Sequence, residues 1–340
     1  MTENIIEVIS KQAQDYYKDT PTIILGSGAS AAFNMSGMWQ LSQHLIETVE
    51  TQDLSDMEVE SWSEFCDLLN GDVDLESALH RVNLSQKLTD RIVVSTWLLL
   101  APEDIAVFKK SLGDSNMFPL GRLLKHMLRS TTNQLNIITP NYDRLAEYAC
   151  EQENLHHYTG FSQGYRGSPV NKDYLKCSRQ VNIWKVHGSL GWFVNEQGVI
   201  LSLSNTDIVP EGLTPLIVTP GIEKYRSTHR EPYKTTIHES DDVIDASSSY
   251  LCIGFGFNDE HIQEKLVNRC AKDDAAIIVV THKLSDSAKQ FLFGGNSVRY
   301  LAIEAQDDGQ KSVAYSSEFN GGVGLDQDFW SLNGFLKLLM

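Results

Sequence analysis

The stretch from Thr22 to Ser30 (TIILGSGAS) constrains the fold more than any other part of the chain. Thr22 to Leu25 is a short apolar run, typical of a strand that is buried on both faces of a parallel sheet. The turn Gly26-Ser27-Gly28 follows at once, and residues 30–45 are predicted to form a helix. Such a unit brings backbone N–H groups and the positive end of a helix to a phosphate group. The third glycine of the dinucleotide fingerprint is absent, so the pattern also fits a tight turn that binds no ligand.

Charge and cysteine usage narrow the class of protein. The 340 residues include 28 Lys or Arg and 45 Asp or Glu, so the formal net charge is −17. This charge and the lack of a basic cluster argue against direct binding to nucleic acid or to an anionic membrane. The five cysteines are scattered and never spaced as CxxC, which argues against a zinc ribbon or a disulfide framework. The cysteine spacing also leads us to expect no bound metal. The N-terminus has no signal-peptide pattern and no apolar run reaches roughly 18 residues, so we expect a cytoplasmic protein.

Helical patterns dominate the first part of the chain after the opening motif. We expect a single domain over residues 1–340, with residues 53–132 as a helical module inserted between the first two strands and residues 304–340 as a C-terminal extension. Helical spacing occurs over residues 58–69, 75–100 and 117–128. Ser55 and Asp74 are the predicted N-caps, and Pro102 and Pro119 are predicted to interrupt the helices.

Short Ile- and Val-rich runs alternate with helices in the remainder of the chain. This pattern predicts an α/β fold with a Rossmann-like doubly wound parallel sheet. The predicted strands are residues 135–139, 181–186, 215–219, 250–254, 275–280 and 298–303, whereas residues 156–179 are predicted to be loops. Ligands of such sheets bind at the carboxyl ends of the strands. Four of these ends carry glycine or polar residues that we expect to form one crevice: Gly26 to Gly28, Asn141 with Asp143, His187-Gly188, and Gly254 to Asp259.

Four motifs in this order resemble those of the sirtuin family. They are GSGAS at 26–30, TPNYD at 139–143, KVHGS at 185–189 and IGFGFND at 253–259. The most similar branch is the sirtuin-like NAD-consuming proteins of bacterial anti-phage defence systems, and the resemblance implies a sirtuin-like catalytic domain. Unlike sirtuin deacylases, the chain has no CxxC pairs after the His-Gly, has Ser36 to Trp39 in place of a GIPDFR loop, and has Pro140 in place of Gln. These departures argue against protein deacylation. The motif residues that remain are those that the family uses to cleave NAD.

The resemblance also implies roles for individual side chains. His187 would act as a base on the ribose hydroxyls, Asn141 would orient the attacking water or a ribose hydroxyl, and Asp143 would receive the nicotinamide carboxamide. Each has a structural alternative: a hydrogen-bonded core histidine, a helix cap and a first-turn carboxylate, respectively. Asn258 and Asp259 are also candidate caps of the next helix. The residues expected to bind NAD are Gly26, Ser27, Gly28, Ser30, Gly188, Gly254, Gly256, Asn258 and Thr281.

The function implied by the resemblance is NAD glycohydrolysis. NAD would be the substrate, nicotinamide and ADP-ribose the products, and depletion of NAD the effector step of anti-phage defence by abortive infection. Nicotinamide leaves as a neutral molecule, so the reaction needs no general acid and passes through an oxocarbenium-like transition state. The resemblance further implies a homo-oligomer that assembles with a HerA-type hexameric ATPase. A module that binds NAD or ADP-ribose without turnover, and a protein deacylase, are the alternatives.

Overall fold

The apolar runs of the sequence form the strands of two sheets. The computed structural model describes residues 2–71, 73–128, 132–175, 177–219, 230–294 and 298–340, so residues 72 and 129–131 of the predicted module and residue 176 of the predicted loops lie outside the described residues. The strands, in chain order, are β1 (Thr22–Leu25), β2 (Gln134–Thr139), β3 (His157–Tyr158), β4 (Arg166–Gly167), β5 (Gln180–Lys185), β6 (Gly188–Asn195), β7 (Ile200–Leu203), β8 (Leu213–Ile217), β9 (Ser249–Ile253), β10 (Ala276–Thr281), β11 (Tyr300–Gln306), β12 (Lys311–Ser316) and β13 (Phe319–Leu325). The helices are α1 (Thr2–Tyr17), α2 (Ser27–Ala31), α3 (Met38–Thr48), α4 (Asp56–Asn70), α5 (Leu75–Arg81), α6 (Gln86–Ser111), α7 (Pro119–Met127), α8 (Leu145–Gln152), α9 (Tyr233–Ala246), α10 (Glu260–Lys272), α11 (Asp286–Phe293) and α12 (Leu332–Leu339).

The main sheet has β1 near its centre and helices on both faces. Its strand order is β13-β12-β11-β10-β9-β1-β2-β5-β3, with β12 and β13 antiparallel at one edge and the strands from β11 to β3 parallel. Ile23 packs in the same cluster as residues of α1, α7 and α8, whereas Ile24 packs with residues of α9, α10 and α11. Successive strand residues point to opposite faces, so each face of β1 is covered by its own layer of helices. The predicted α/β fold with a Rossmann-like, doubly wound parallel sheet is therefore confirmed.

The helices between β1 and β2 have a core of their own. Leu45, Phe65, Ala78 and Leu88, from α3, α4, α5 and α6, lie in one buried cluster separate from the two that flank the main sheet. The division of the chain into one domain, an inserted module at 53–132 and an extension at 304–340 stays a prediction. Within the last of these segments, β12 and β13 add to the edge of the main sheet.

Both predicted N-caps of this region are confirmed. The Ser55 hydroxyl accepts a hydrogen bond from the backbone N–H of Glu58, and the Asp74 carboxylate accepts one from that of Ser77. Pro119 is the first residue of α7, where a missing N–H costs nothing.

Three helix boundaries were predicted wrongly. The segment 75–100 is not one helix, because Ser85 caps a new helix, α6, after α5 has ended. Pro102 lies inside α6 instead of ending it, in a stretch where Ala101 and Asp104 are fully buried, so packing overrides the local penalty for proline. The predicted helix over 30–45 is divided into α2 and α3.

A second sheet and the edge strand β3 of the main sheet account for the strand predictions that were wrong. Its order is β4-β7-β6-β8, and β6 pairs antiparallel with both β7 and β8. The predicted strand 215–219 belongs to this sheet, as β8, and not to the parallel one. The segment 156–179, predicted to be loops, contains β3 and β4. Among the described residues, no helix combines the length and the apolar character that crossing a membrane requires.

Candidate active site

The segment after β1 (Gly26 and the first residues of α2, residues 26–30, called the β1 loop) and the loop after β9 (residues 254–259, the β9 loop) are in direct backbone contact. The N–H of Gly26 donates to the carbonyl of Ile253 at 3.0 Å, and the N–H of Gly28 donates to that of Gly254 at 2.9 Å. A Cβ at Gly26 would lie 2.4 Å from the carbonyl oxygen of Gly254, and one at Gly254, where φ is +58°, would lie 2.4 Å from the nitrogen of Ala29. The contact between the two loops therefore already requires glycine at these positions, independently of a ligand.

The side chain of Asn141 joins the end of β2 to the β1 loop. Its Nδ2 donates to the carbonyl of Gly26 at 3.0 Å and to the Ser30 hydroxyl at 2.9 Å. The alternative interpretation of Asn141 as a helix cap is wrong, because α8 begins at Leu145 and has Arg144 at its N-cap. The amide group instead holds two strand ends together at the carboxyl edge of the sheet.

Asp143 is buried beside the same loop. Its Oδ2 accepts a hydrogen bond from the Ser30 hydroxyl at 2.6 Å, and its Oδ1 accepts one from the N–H of Leu145 at 3.1 Å. Asp143 precedes Arg144, the N-cap of α8, so the first-turn carboxylate interpretation is wrong, although its carboxylate accepts from the first N–H of the helix. The bond to Ser30 links Asp143 to the β1 loop. Burial raises the pKa of the Asp143 carboxyl, and the ammonium group of Lys185 and the Ser30 hydrogen bond oppose that increase.

His187 pairs with a carboxylate from the far side of β1. Its Nε2 lies 2.5 Å from Oδ2 of Asp259, and the two side chains are 13% and 7% exposed. The other oxygen of Asp259 accepts from the N–H of Ile262 at 3.1 Å, so the predicted cap of α10 is confirmed. Because β5 and β9 are separated in the sheet by β1 and β2, this pair spans the ends of both intervening strands. An ionised carboxylate can only accept hydrogen bonds, so the proton of this bond is assigned to Nε2 of His187.

The remaining predicted binding residues lie at the same edge of the sheet. Ser27 and Gly28 are exposed at the start of α2, and Asn258 is exposed in the β9 loop. The Ser285 hydroxyl, at the start of α11, donates to the carbonyl of Gly256 in the β9 loop. The Thr281 hydroxyl makes a local contact, 3.4 Å from the carbonyl of Lys283. The structure thus joins Gly26, Gly28, Ser30, Asn141, Asp143 and Gly254 through hydrogen bonds, and places Gly256 and Asn258 in the β9 loop and Thr281 at the end of β10.

The pairing of Gly188 in the second sheet explains why this residue is a glycine. Its φ is +90°, and a Cβ there would lie 2.1 Å from the carbonyl oxygen of Leu216. Gly188 pairs with Ile217 of β8, and the carbonyl of His187 accepts from the N–H of Val218 at 2.9 Å. The turn after β5 therefore directs the chain out of the main sheet while it keeps His187 at the carboxyl edge.

Two contributors to this edge, Lys185 and the pairing of Asp259, were not predicted from the sequence. Lys185 is almost completely buried, and its Nζ donates to the backbone carbonyl of Asp143 and to Glu147 Oε1, the latter at 3.1 Å. Asp259 was identified as a candidate cap but not as the partner of His187. Burial of a lysine inside an apolar run (VNIWKV) was a detectable signal, whereas the His187–Asp259 pair depends on the strand order.

No metal site accompanies these groups in the described part of the chain, which has no cluster of three or more His, Cys, Asp or Glu that could hold an ion. The chemistry available at the edge is that of an imidazole with a fixed proton, a carboxamide, a buried carboxyl and backbone amides. Such groups can bind hydroxyls, position a water molecule and accept a proton from it.

Comparison with known proteins gives one family match. A family model described as a SIR2-like domain matches residues 135–298. No curated protein matches significantly. Among solved structures, one from work on the mechanism and regulation of Sir2 enzymes is 13% identical with a TM-score of 0.42, covering 87% of this chain and 91% of that chain. A second, on sirtuin substrate affinity, is 13% identical with a TM-score of 0.40, covering 81% of this chain and 94% of that one.

A third solved structure, a mutant Sir2 homologue in complex with 2′-O-acetyl ADP ribose, is 12% identical with a TM-score of 0.40, covering 89% of this chain and 90% of that one. At these scores the three likenesses carry no argument about the site. The family match, unlike the three solved structures, does bear on the site. Residues 135–298 contain Asn141, Asp143, His187, Gly254 and Asp259. The segment that supplies most of the candidate site is therefore similar to a SIR2-like domain.

Proposed function

We propose that this chain is an NAD glycohydrolase that cleaves NAD to nicotinamide and ADP-ribose. Two related lines support the proposal: the SIR2-like match over residues 135–298, and the sirtuin-type motifs at the strand ends, of which GSGAS at 26–30 lies outside that match. The observation that carries it is the meeting of the strand ends, with Asn141 bonded to Gly26 and His187 bonded to Asp259 at one edge of the sheet. This edge is where parallel α/β sheets bind their ligands.

The proposed chemistry uses the residues in distinct roles. The bond between C1′ of the ribose and the pyridinium nitrogen breaks, its electron pair passes to that nitrogen, and water adds to C1′ of the oxocarbenium-like species. Nδ1 of His187 accepts a proton from the attacking water or from a ribose hydroxyl, while Asp259 fixes the proton on Nε2 and stabilises the imidazolium that forms. Asn141 holds the β1 loop in place and orients an oxygen of the reacting ribose or of the attacking water. Exposed Ser27 offers the start of α2 to the phosphates, and Gly28, whose N–H is donated to Gly254, leaves room for them to approach.

In the cell, we infer that NAD depletion by this activity serves anti-phage defence by abortive infection. Such an activity must be restrained until infection, and we propose control by homo-oligomerisation and assembly with a HerA-type hexameric ATPase. The net charge of −17 is compatible with docking on a basic partner surface and disfavours direct contact with nucleic acid or membrane. The proposed location is the cytoplasm.

The decisive experiment measures product release from NAD. The purified chain, alone and mixed with the HerA-type ATPase, is incubated with NAD, and nicotinamide and ADP-ribose are quantified by chromatography. His187→Ala and Asn141→Ala are each expected to lower the rate by roughly 10²-fold or more, the usual scale for a positioned base. His238→Ala is the matched control, because this ring is 75% exposed on α9.

Each other outcome has a definite meaning. Unchanged release in both site variants would contradict the assignment of the site. Calorimetric binding of NAD or ADP-ribose, with no product after hours, would support a non-hydrolysing binding module instead. Release of nicotinamide only when an acylated peptide is added would support a deacylase.

A further inference from the structure

A cavity of about 650 Å³ lies between α8, the segment 154–164 and the second sheet. None of its lining residues is among the candidate active-site residues, although Arg144 and Ser189 are direct chain neighbours of two of them. Its volume is within the range of about 300–1,000 Å³ found for small-molecule pockets. The cavity is therefore a separate feature of the molecule that the proposed NAD chemistry does not use.

The floor of the cavity is a set of buried charges that are already paired. Nε and Nη2 of Arg144 lie 2.8 and 2.6 Å from Oδ2 of Asp104, and Glu147 is paired with Lys185. Nη1 of Arg144 is buried and has no hydrogen-bond partner among the described residues. A buried donor left unsatisfied costs about 1–3 kcal/mol, so an acceptor atom delivered by a ligand would be favourable here.

The walls of the cavity are aromatic and its rim is acidic. Trp192 packs against Phe161 with ring centroids 5.1 Å apart, and Tyr148 packs against Phe108 at the same separation. Aromatic faces of this kind bind other flat rings. At the rim, the side chain of Glu151 is 60% exposed, its Oε1 lies 3.3 Å from Nε2 of His157, and it adds a carboxylate to that of Glu147.

We propose that this cavity binds an uncharged molecule that joins a flat ring to vicinal hydroxyls, the chemistry of a ribonucleoside. The ring packs against the aromatic walls, and the carboxylates of Glu147 and Glu151 accept hydrogen bonds from the hydroxyls, as acidic residues do with ribose. The guanidinium of Arg144 donates Nη1–H to an acceptor on the ligand. A phosphate group is disfavoured, because Asp104 already neutralises the lining guanidinium and the exposed carboxylate of Glu151 would repel the added charge.

The test uses adenosine as the probe and calorimetry on the full chain as the readout. Thr159 lines the cavity, so Thr159→Trp fills it, and Thr159→Ser is the matched control. Adenosine is expected to bind the wild type, Thr159→Ser and His187→Ala with equal affinity and to bind Thr159→Trp at least tenfold more weakly. AMP and 2′-deoxyadenosine are both expected to bind the wild type at least tenfold more weakly than adenosine, a factor that corresponds to about 1.4 kcal/mol.

A second variant keeps the test valid if Thr159→Trp does not fold. Glu151→Gln changes an exposed side chain. This variant is expected to bind adenosine more weakly, and AMP more tightly, than the wild type does. The proposal is overturned if adenosine does not bind the wild type, or if binding is lost in His187→Ala and kept in Thr159→Trp, which would place the nucleoside at the candidate active site. None of these readouts requires turnover of NAD, so failure here is distinguishable from failure of the proposed function.

Discussion

Replacement of Gly254 by alanine tests whether the β1 and β9 loops are locked together as described. At φ +58°, an L-residue costs about 1–2 kcal/mol relative to glycine. The new Cβ would also lie 2.4 Å from the nitrogen of Ala29 and 2.6 Å from the carbonyl carbon of Gly28. Both atoms belong to the backbone, so the loop must shift, which costs about 1–3 kcal/mol more. Gly254→Ala is therefore expected to lower the free energy of unfolding by roughly 2–5 kcal/mol.

The assay is the thermal midpoint measured by scanning calorimetry. With about 2.1 cal/mol/K of unfolding entropy per residue, a chain of 340 residues loses roughly 3–7 °C for this change. Gly198→Ala is the matched control, because φ there is +78° and a Cβ would have nothing within 4 Å, so only the backbone cost of roughly 1–3 °C remains. Equal shifts in the two variants would refute the inference that the loops are in close backbone contact.

Three further predictions concern the His187 pair, a surface ion pair and the thiols. Asp259→Asn keeps a good N-cap for α10 but removes the carboxylate, so nicotinamide release is expected to fall by roughly 10²-fold or more while stability changes by less than about 1 kcal/mol; unchanged release would contradict the role given to Asp259. The hydrogen bond that the His261 ring donates to the Asp241 carboxylate raises the pKa of His261, so the stabilisation from this pair is present below pH about 6.5 and is lost as pH rises through the raised pKa. Because the ring is 41% exposed, His261→Gln is expected to cost at most about 0.5 kcal/mol at pH 5.5 and almost nothing at pH 9 in urea titrations, and equal costs would contradict this. Cys177 is the exposed cysteine, so iodoacetamide at neutral pH is expected to label it first by mass spectrometry; faster labelling of a buried cysteine would argue against the described packing.

The parallel sheet was predictable because its evidence is local. The run from Thr22 to Leu25 is apolar throughout, as a strand covered on both faces must be, and the glycine turn after it marks the carboxyl end. The caps at Ser55 and Asp74 follow from hydrogen bonds made within a few residues. Since the carboxyl ends of parallel strands share one edge, the proximity of Asn141 to Gly26 also followed from the strand assignment alone.

Contacts between distant segments were not predictable in the same way. The segment 215–219 has the composition of a core strand, but the turn at Gly188 directs the chain into a second sheet, where this strand pairs with β6. Pro102 is tolerated inside α6 because the helix is buried around it, and no local pattern reports burial of that kind. The edge strands β12 and β13 were missed within the predicted extension.

The sequence by itself determined which residues end the strands, because strand and turn propensities act over a few neighbouring residues. Only the tertiary structure decided that Asp259 faces His187, because that pair depends on the order β9-β1-β2-β5 across the sheet. The structure likewise decided why Gly26 and Gly254 must be glycine: the space that a side chain would need is occupied by the backbone of the opposite loop. Interactions between neighbouring residues determine where the helices and strands form. Packing between segments far apart in the chain determines which of their residues come into contact.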